Sequence, residues 1–182
     1  LGLCQETLGE LFVPAAEHLE QNGFAVMMTL TGMEAPAPQL PLINTTLEIA
    51  TEADERAGYD SIRVNSAGYH VEIAPPGTLP MEQSGWWAPP NTFLTVMREG
   101  GQPLSSAAVL NLNGLPYVAL VATHPDAQRR GLATIAMADV LRRAQASGLS
   151  ERAYLHATAA GRPVYERMGF VPTAEYTLFV KI

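Results

Sequence analysis

Val121-Ala122-Thr123-His124-Pro125-Asp126-Ala127-Gln128-Arg129-Arg130-Gly131-Leu132-Ala133 is the stretch on which the reading of this chain turns. An apolar strand ends, a short polar loop follows, and a helix starts near Gly131. The first amides of such a helix have no carbonyl one turn back to bond, and they carry the positive end of the helix dipole. Phosphate groups bind well at that end. Gly131 lets a ligand approach the backbone closely, and Ala133 keeps the next turn small. Arg129 and Arg130 add charge suited to a pyrophosphate or a ribose phosphate. On this loop alone, the competing reading is a surface strand–loop–helix with its arginines in solvent.

The flanks supply the missing context. Upstream, Thr92 to Arg98 reads as a strand, Gly100-Gly101 as a turn, and Leu104 to Leu112 as a second strand. Asn113-Gly114 is a hairpin signal leading into a third strand, Leu115 to Thr123. Downstream, Ala133, Ala136, Met137, Val140, Leu141 and Ala144 form one apolar helical face, ended by Gly148. Arg152 to Thr158 is a strand, Ala160 to Met168 a helix closed by Gly169, and Phe170 onward holds one or two final strands.

The first part of the chain is separated by a proline-rich piece, Ala35-Pro36-Ala37-Pro38-Gln39-Leu40-Pro41. Before it, Gln5 to Gln21 has helical apolar spacing with Pro14 inside it, which predicts a kink or a later helix start. Asn22-Gly23 stops that helix, and Phe24 to Thr31 reads as a strand. After the linker, Leu47 to Ala50 is a short strand and Thr51 to Tyr69 a helix starting at Thr51 or Asp54. Pro75 to Pro90, with Trp86-Trp87, reads as a loop; with Tyr69 and Phe93 these aromatics are candidates for an acceptor pocket. We therefore expect residues 1–41 to be an appendage and linker, and residues 42–182 to be the main domain.

The chain has 182 residues, 47% of them hydrophobic, which is enough for one packed core. Its formal net charge of −7 argues against a nucleic-acid footprint, which needs a basic patch. Cys4 is the only cysteine, so no intrachain disulfide and no cysteine-based zinc site can form, and a reducing cytoplasm is expected. The four histidines lack ligand spacing, so no metal is expected. No apolar run has the length of a membrane span, and no membrane partner is expected. The chain opens on Leu1 rather than Met, which reads as a trimmed piece of something longer.

Gln128-Arg129-Arg130-Gly131-Leu132-Ala133 resembles the acetyl-CoA motif (Gln/Arg)-x-x-Gly-x-(Gly/Ala) of the GNAT N-acetyltransferase superfamily, which opens a helix after the fourth strand. A second mark lies downstream. Leu155-His156-Ala157-Thr158 followed by Gly161-Arg162-Pro163-Val164-Tyr165-Glu166-Arg167-Met168-Gly169-Phe170 is similar to the family's strand, helix and tyrosine segment ending in Gly-Phe. The resemblance is strong from Phe93 to Ile182 and weaker from Leu42 to Pro90. Before that only an echo exists: a helix, then Gly23-Phe24 and a Met-containing strand, like the later Gly169-Phe170 ending. A truncated second copy and an ordinary helix–strand appendage both fit that echo.

The resemblance implies an α/β fold with a mixed, mostly antiparallel sheet, splayed between its fourth and fifth strands and flanked by helices. It implies acetyl-CoA as acyl donor, no metal, and an amine acceptor, either a small molecule or a peptide. Homodimerisation is left open. Val121, Ala122 and Thr123 would pair with pantetheine through their backbone. An amide near Val121 would hold the thioester oxygen and the oxyanion that follows. Arg129, Arg130, Gly131, Leu132, Ala133 and Thr134 would wrap the pyrophosphate, with Gln128 opening the motif. Tyr165 would protonate the leaving thiolate. Thr158 would cap the following helix or touch pantetheine. Some family members carry a glutamate on the fourth strand as base, whereas Leu115 to Thr123 holds no acid. A water near Asn111, Tyr117 or His124 is the alternative. Two rival functions stand beside this one: a non-catalytic acyl-CoA-binding sensor or scaffold, and a nucleotide-binding domain. The latter is weakened by the missing Lys-Ser/Thr after the glycine.

Overall fold

Alternation in the strand Thr92–Glu99 (β4) sets the two faces of the molecule. Thr95 and Met97 point one way and Leu94, Val96 and Arg98 the other, as the two-residue period of a strand requires. All of them are buried. The structure, a computed structural model, describes residues 1–51, 54–70 and 92–182. Trp86, Trp87 and the expected loop from Pro75 to Pro90 lie outside the described residues.

The order of elements along the chain is β1 (Gly2–Cys4), α1 (Gln5–Leu8), a 3-10 turn (Gly9–Leu11), α2 (Phe12–Gln21), β2 (Phe24–Ala35), β3 (Glu48–Ala50) and α3 (Glu55–Gly68). There follow β4, β5 (Gln102–Leu112), β6 (Leu115–Thr123), a 3-10 turn (Pro125–Ala127), α4 (Leu132–Ala146), β7 (Ala153–Ala157), α5 (Arg162–Arg167) and β8 (Val171–Lys181). The strands form one eight-stranded open sheet in the order β1-β8-β2-β7-β6-β5-β4-β3. Every pairing is antiparallel except β6 with β7.

Helix α4 covers one face of β4, β5 and β6, and α3 covers the other. The α4 side holds the larger core, built from Met97, Ala107, Val109, Val118, Leu155, Met137, Leu141 and Phe170. Ala133, expected on the apolar face of this helix, is only half-buried, and Leu132 takes the inward position instead. On the α3 side, Asp54 caps the helix by accepting from the Ala57 amide at 2.7 Å. There Arg98 is buried and donates to Asp60 at 2.8 Å and to Glu48, its cross-strand partner, at 3.0 Å.

The N-terminal segment differs from the expectation of an appendage in where its strand sits. β2 lies inside the sheet, between β8 and β7, so that Gly32 faces both His156 and Ala174. Met33 and Ala35 are buried in the main core. The strand extends past Thr31 to Ala35 because pairing on both sides favours extended backbone there. The first helix breaks at Gly9, and the later start that Pro14 predicts is α2, which begins at Phe12 with Pro14 in its first turn, where its missing amide costs nothing. The proline-rich stretch is tied down as well. The Gln39 amide donates to the Met168 carbonyl at 2.8 Å, and the Arg142 guanidinium reaches the carbonyls of Leu40 and Pro41.

Candidate active site

A bulge in β6 opens the sheet. In the β5–β6 ladder, Ala108 faces Ala119 but Ser106 faces Ala122, so β6 carries one extra residue. The extra residue shows at Leu120, whose φ of +51° is left-handed. Its carbonyl is held from two directions. Asn65 Nδ2 of α3 donates to it at 3.1 Å, and Ser106 Oγ of β5 donates at 3.2 Å. Ser61 joins this buried polar knot through a 3.3 Å contact with Ser106.

The consequence falls on the other edge of β6. Its parallel register with β7 comprises only Tyr117↔Tyr154 and Val118↔Leu155. Beyond them the two strands part, β6 running on to Thr123 and β7 to Ala157 without pairing. The expected splay therefore starts directly after Val118 and Leu155, the fourth and fifth strands of the family count being β6 and β7 here.

The three residues expected to pair with pantetheine lie in this unpaired stretch, with different surroundings. Val121 packs half-buried against the larger core. Ala122 is buried under α3, close to Gly68, and its carbonyl accepts from Ser105 Oγ at 2.8 Å. Thr123 shares a 3.0 Å hydrogen bond with Ser105.

Past Thr123, His124 caps a 3-10 turn and the chain swings into α4. Gln128 is exposed and extended, while Arg129 and Gly131 both have positive φ, at +62° and +76°. Nothing lies within 4 Å of the position a Cβ would take on Gly131, so the front of the helix is open. The first backbone bond of α4 runs from the Ile135 amide to the Gly131 carbonyl at 3.2 Å, leaving the amides of Leu132, Ala133 and Thr134 without helix partners. Left-handed turns leading into a helix form a concave nest of amides that suits an anion.

The two arginines diverge. Arg130 is paired with Glu99 at 2.8 Å, and that pairing holds the Glu99 carboxyl below its usual range. Arg129 is exposed and makes no ion pair with any described residue. A hollow of about 330 Å3 lies beside the helix start, lined by residues 44–47 with Arg130, Leu132 and Ile135. A larger one of about 560 Å3 lies on the α3 side, between Arg63, Ala67, Gln102, Leu104 and His124.

Tyr165 is buried, with its ring set edge-on to Phe170 at a 6.3 Å centroid distance. Its hydroxyl bonds no described residue and lies beside Gly161, where an added Cβ would stand 3.4 Å from the oxygen. Burial raises its pKa well above the ordinary phenol value, and the nearby phenols of Tyr69 and Tyr117 add to the rise. Thr158 Oγ1 accepts from the Gly161 amide at 3.1 Å, in the turn before α5, and Gly161 itself is the N-cap of that helix without a side-chain cap. Of the other residues considered from sequence, Asn111 accepts from the Gly114 amide in the β5–β6 hairpin, while Tyr69 is exposed at the end of α3.

The first residue of β7 past the splay point is His156, and its Nδ1 stands 2.7 Å from Tyr117 Oη. Sequence reasoning assigned it no role. Strand alternation places it opposite Leu155, but its partner is 39 positions away in sequence. Among the described residues, no cluster of His, Cys, Asp or Glu could hold a metal, and no helix is long and apolar enough to cross a membrane.

The model of the acetyltransferase (GNAT) domain matches residues 82–180, more than half of the chain and the whole of the splayed site. The chain belongs to the GNAT acetyltransferase family. No curated protein matches this GNAT chain in sequence. Solved structures do match. A GCN5-related N-acetyltransferase from Kribbella flavida aligns with a TM-score of 0.70 and 21% identity, over 98% of this chain and 66% of that one. Another from Sphaerobacter thermophilus gives 0.65 and 21%, over 92% and 55%. A predicted acetyltransferase from Clostridium acetobutylicum, solved with acetyl-CoA, gives 0.55 and 18%, over 70% and 92%. At these identities the likeness is one of fold. The GNAT chain spans just under two thirds of the Kribbella structure and about half of the Sphaerobacter one.

Proposed function

We propose that this GNAT domain transfers an acetyl group from acetyl-CoA to an amine by direct attack in a ternary complex. The observation that carries the reading is the splay itself. β6 leaves β7 after two register pairs, and the open amide nest at Gly131 lies at the far end of the same strand. A ligand with an extended amide-bearing arm and a pyrophosphate matches that layout: strand backbone for the arm, helix start for the phosphates. The acetyl-CoA in the Clostridium relative supports the same ligand class here.

In this reading the backbone of Val121 to Thr123 faces pantetheine, and an amide near Val121 stabilises the oxyanion. Residues 129–134 wrap the pyrophosphate. Gln128 opens the turn, and Arg129 is the cation still free to meet a phosphate, since Glu99 engages Arg130. The amine nitrogen attacks the carbonyl carbon, the carbon–sulfur bond breaks, and Tyr165 gives its proton to the departing thiolate. Burial keeps that phenol protonated through the working pH range. The same dry wall raises the basicity of a thiolate leaving beside it. A cytoplasmic setting belongs to this reading, because a single cysteine permits no intrachain disulfide.

Thiol release on incubation with acetyl-CoA and a panel of small amines, amino acids and peptides tests the proposal. Release that depends on the amine supports it. Tight binding of acetyl-CoA with no release across the panel points instead to an acyl-CoA-binding scaffold.

A further inference from the structure

The attacking amine must lose a proton, and β6 carries no carboxylate to take it. The residue that stands at the fork is His156, one position past the last β6–β7 pair. Three strands hold its ring. Tyr117 of β6 bonds Nδ1 at 2.7 Å, with the rings tilted by 58°. Tyr176 of β8 meets the imidazole edge to face, with centroids 4.5 Å apart. Between them in the sheet, Gly32 of β2 pairs with His156. A side chain there would collide with Tyr176, since its Cβ would lie 2.9 Å from the ring.

The pair is also chemically poised. Nδ1 of His156 is the hydrogen-bond partner of the Tyr117 hydroxyl among the described residues. Partial burial lowers the imidazole pKa below its ordinary value, so the ring is neutral near pH 7 and able to accept a proton. Burial raises Tyr117, so its hydroxyl keeps its proton until Nδ1 takes it. The other titratable groups near this row are Tyr154, the cross-strand partner of Tyr117, then Tyr176 and, beyond it, Cys4 and Glu6. Tyr117 lies close enough to Tyr165 for their phenols to interact electrostatically. A proton donor and a proton acceptor therefore stand within electrostatic reach of each other.

We propose that Tyr117 and His156 together are the proton acceptor of the acyl transfer, with Tyr117 facing the amine and His156 holding the proton. The inference rests on the acyl-transfer reading above. As the nitrogen bonds to the carbonyl carbon, its N–H bond breaks and a new O–H bond forms at Tyr117. The original O–H bond of Tyr117 breaks in the same step, and an N–H bond forms at His156 Nδ1. The imidazolium then returns its proton to solvent, and Tyr165, left as a phenolate by protonating the thiolate, takes one back from solvent. Tyr117 is the group that touches substrate, and His156 acts through it.

The experiment is single-turnover acetyl transfer to the best amine of the panel, followed from pH 5.5 to 9. Wild type, His156→Gln, Tyr117→Phe and the double variant are compared, with acetyl-CoA affinity measured alongside by calorimetry. A positioned base contributes about 10²-fold or more, so each single variant should lose at least that order of rate. The double variant should lose no more than the worse single, because both side chains serve one relay. Acetyl-CoA affinity should stay within about twofold, since the phosphate contacts lie elsewhere. In wild type the rate should rise with pH through the lowered imidazole pKa, and His156→Gln should lack that rise. Free imidazole should restore part of its lost rate. A folded His156→Gln protein that keeps the wild-type rate and pH rise overturns the proposal. So do losses that add in the double variant with an unchanged pH profile, as packing defects would. Should Tyr117→Phe fail to fold, the His156→Gln rate, profile and rescue decide alone. A wild-type protein that binds acetyl-CoA and releases no thiol with any amine overturns the acyl-transfer reading, and this inference with it.

Discussion

Asn65→Leu tests whether the bulge opens the cleft. Asn65 has two amide protons for three contacts, to the carbonyls of Ser61 and Leu120 and to Ser106 Oγ, at 2.9, 3.1 and 3.1 Å. Leucine has similar bulk and no donor. Two net hydrogen bonds at about 1 kcal/mol each make the expected stability loss about 2 kcal/mol. Leu120 in the left-handed region costs roughly 1–2 kcal/mol, and only the Ser106 bond, worth about 1 kcal/mol, would remain to hold it there. The bulged form would then range from about even to about 1 kcal/mol less stable than a regular ladder, so its population would fall to roughly 0.15–0.5. With both bonds the same terms populate the wild-type bulge to roughly 0.5–0.85, so apparent acetyl-CoA affinity should weaken by about two- to threefold, because only the bulged form has the open slot. Urea unfolding reads the first number and titration calorimetry the second. A folded Asn65→Leu protein that loses about 2 kcal/mol and binds acetyl-CoA like wild type would refute the link between bulge and cleft.

Three further outcomes follow from the same geometry. Tyr165→Phe keeps the ring against Phe170 and should lower single-turnover rates by about 10²-fold with acetyl-CoA affinity unchanged; a wild-type rate would make the hydroxyl structural. Arg98→Met leaves Asp60 buried beside only the more exposed Arg56 and Arg63, each 4.0 Å away, and should cost about 3 kcal/mol in chemical denaturation; a change within about 0.5 kcal/mol would contradict the pairing. Removal of residues 1–41 takes β2 from between β7 and β8, so the remaining chain should melt without a cooperative transition; a cooperative melt near the wild-type temperature would contradict the structural role of β2.

The parts legible in the sequence are those fixed by neighbours along the chain. Gly100-Gly101 and Asn113-Gly114 mark the turns of the β4–β5–β6 meander, and the apolar period from Ala136 to Ala144 marks α4. Gly131 stood out because a glycine at a helix start lets a ligand approach the backbone closely, and its left-handed φ in the structure is a second reason for glycine there. What was hidden depends on distant partners. Phe24–Ala35 reads as a strand anywhere in a sheet, and its central place follows from pairing with β7 and β8, more than 100 positions later. The bulge falls on a leucine in an apolar run, with no glycine to announce it; Asn65, 55 positions earlier, holds it. Arg130 looked free because Glu99, which engages it, is 31 positions away.

The most direct measurement of the central claim is acetyl-CoA binding to wild type and Gly131→Glu by calorimetry, with circular dichroism confirming the fold of both. The account places the pyrophosphate against the open face of Gly131, where φ is +76° and nothing lies within 4 Å of an added Cβ. A glutamate there adds a negative charge about 4–5 Å from the phosphates, worth roughly 1–4 kcal/mol of repulsion at a protein surface. It also strains a left-handed turn by about 1 kcal/mol. Gly131→Ala carries the strain without the charge and should weaken binding only a few-fold, while Gly131→Glu should weaken it by about 30-fold or more. Equal affinity in folded wild type and Gly131→Glu would place the cofactor elsewhere and contradict the account.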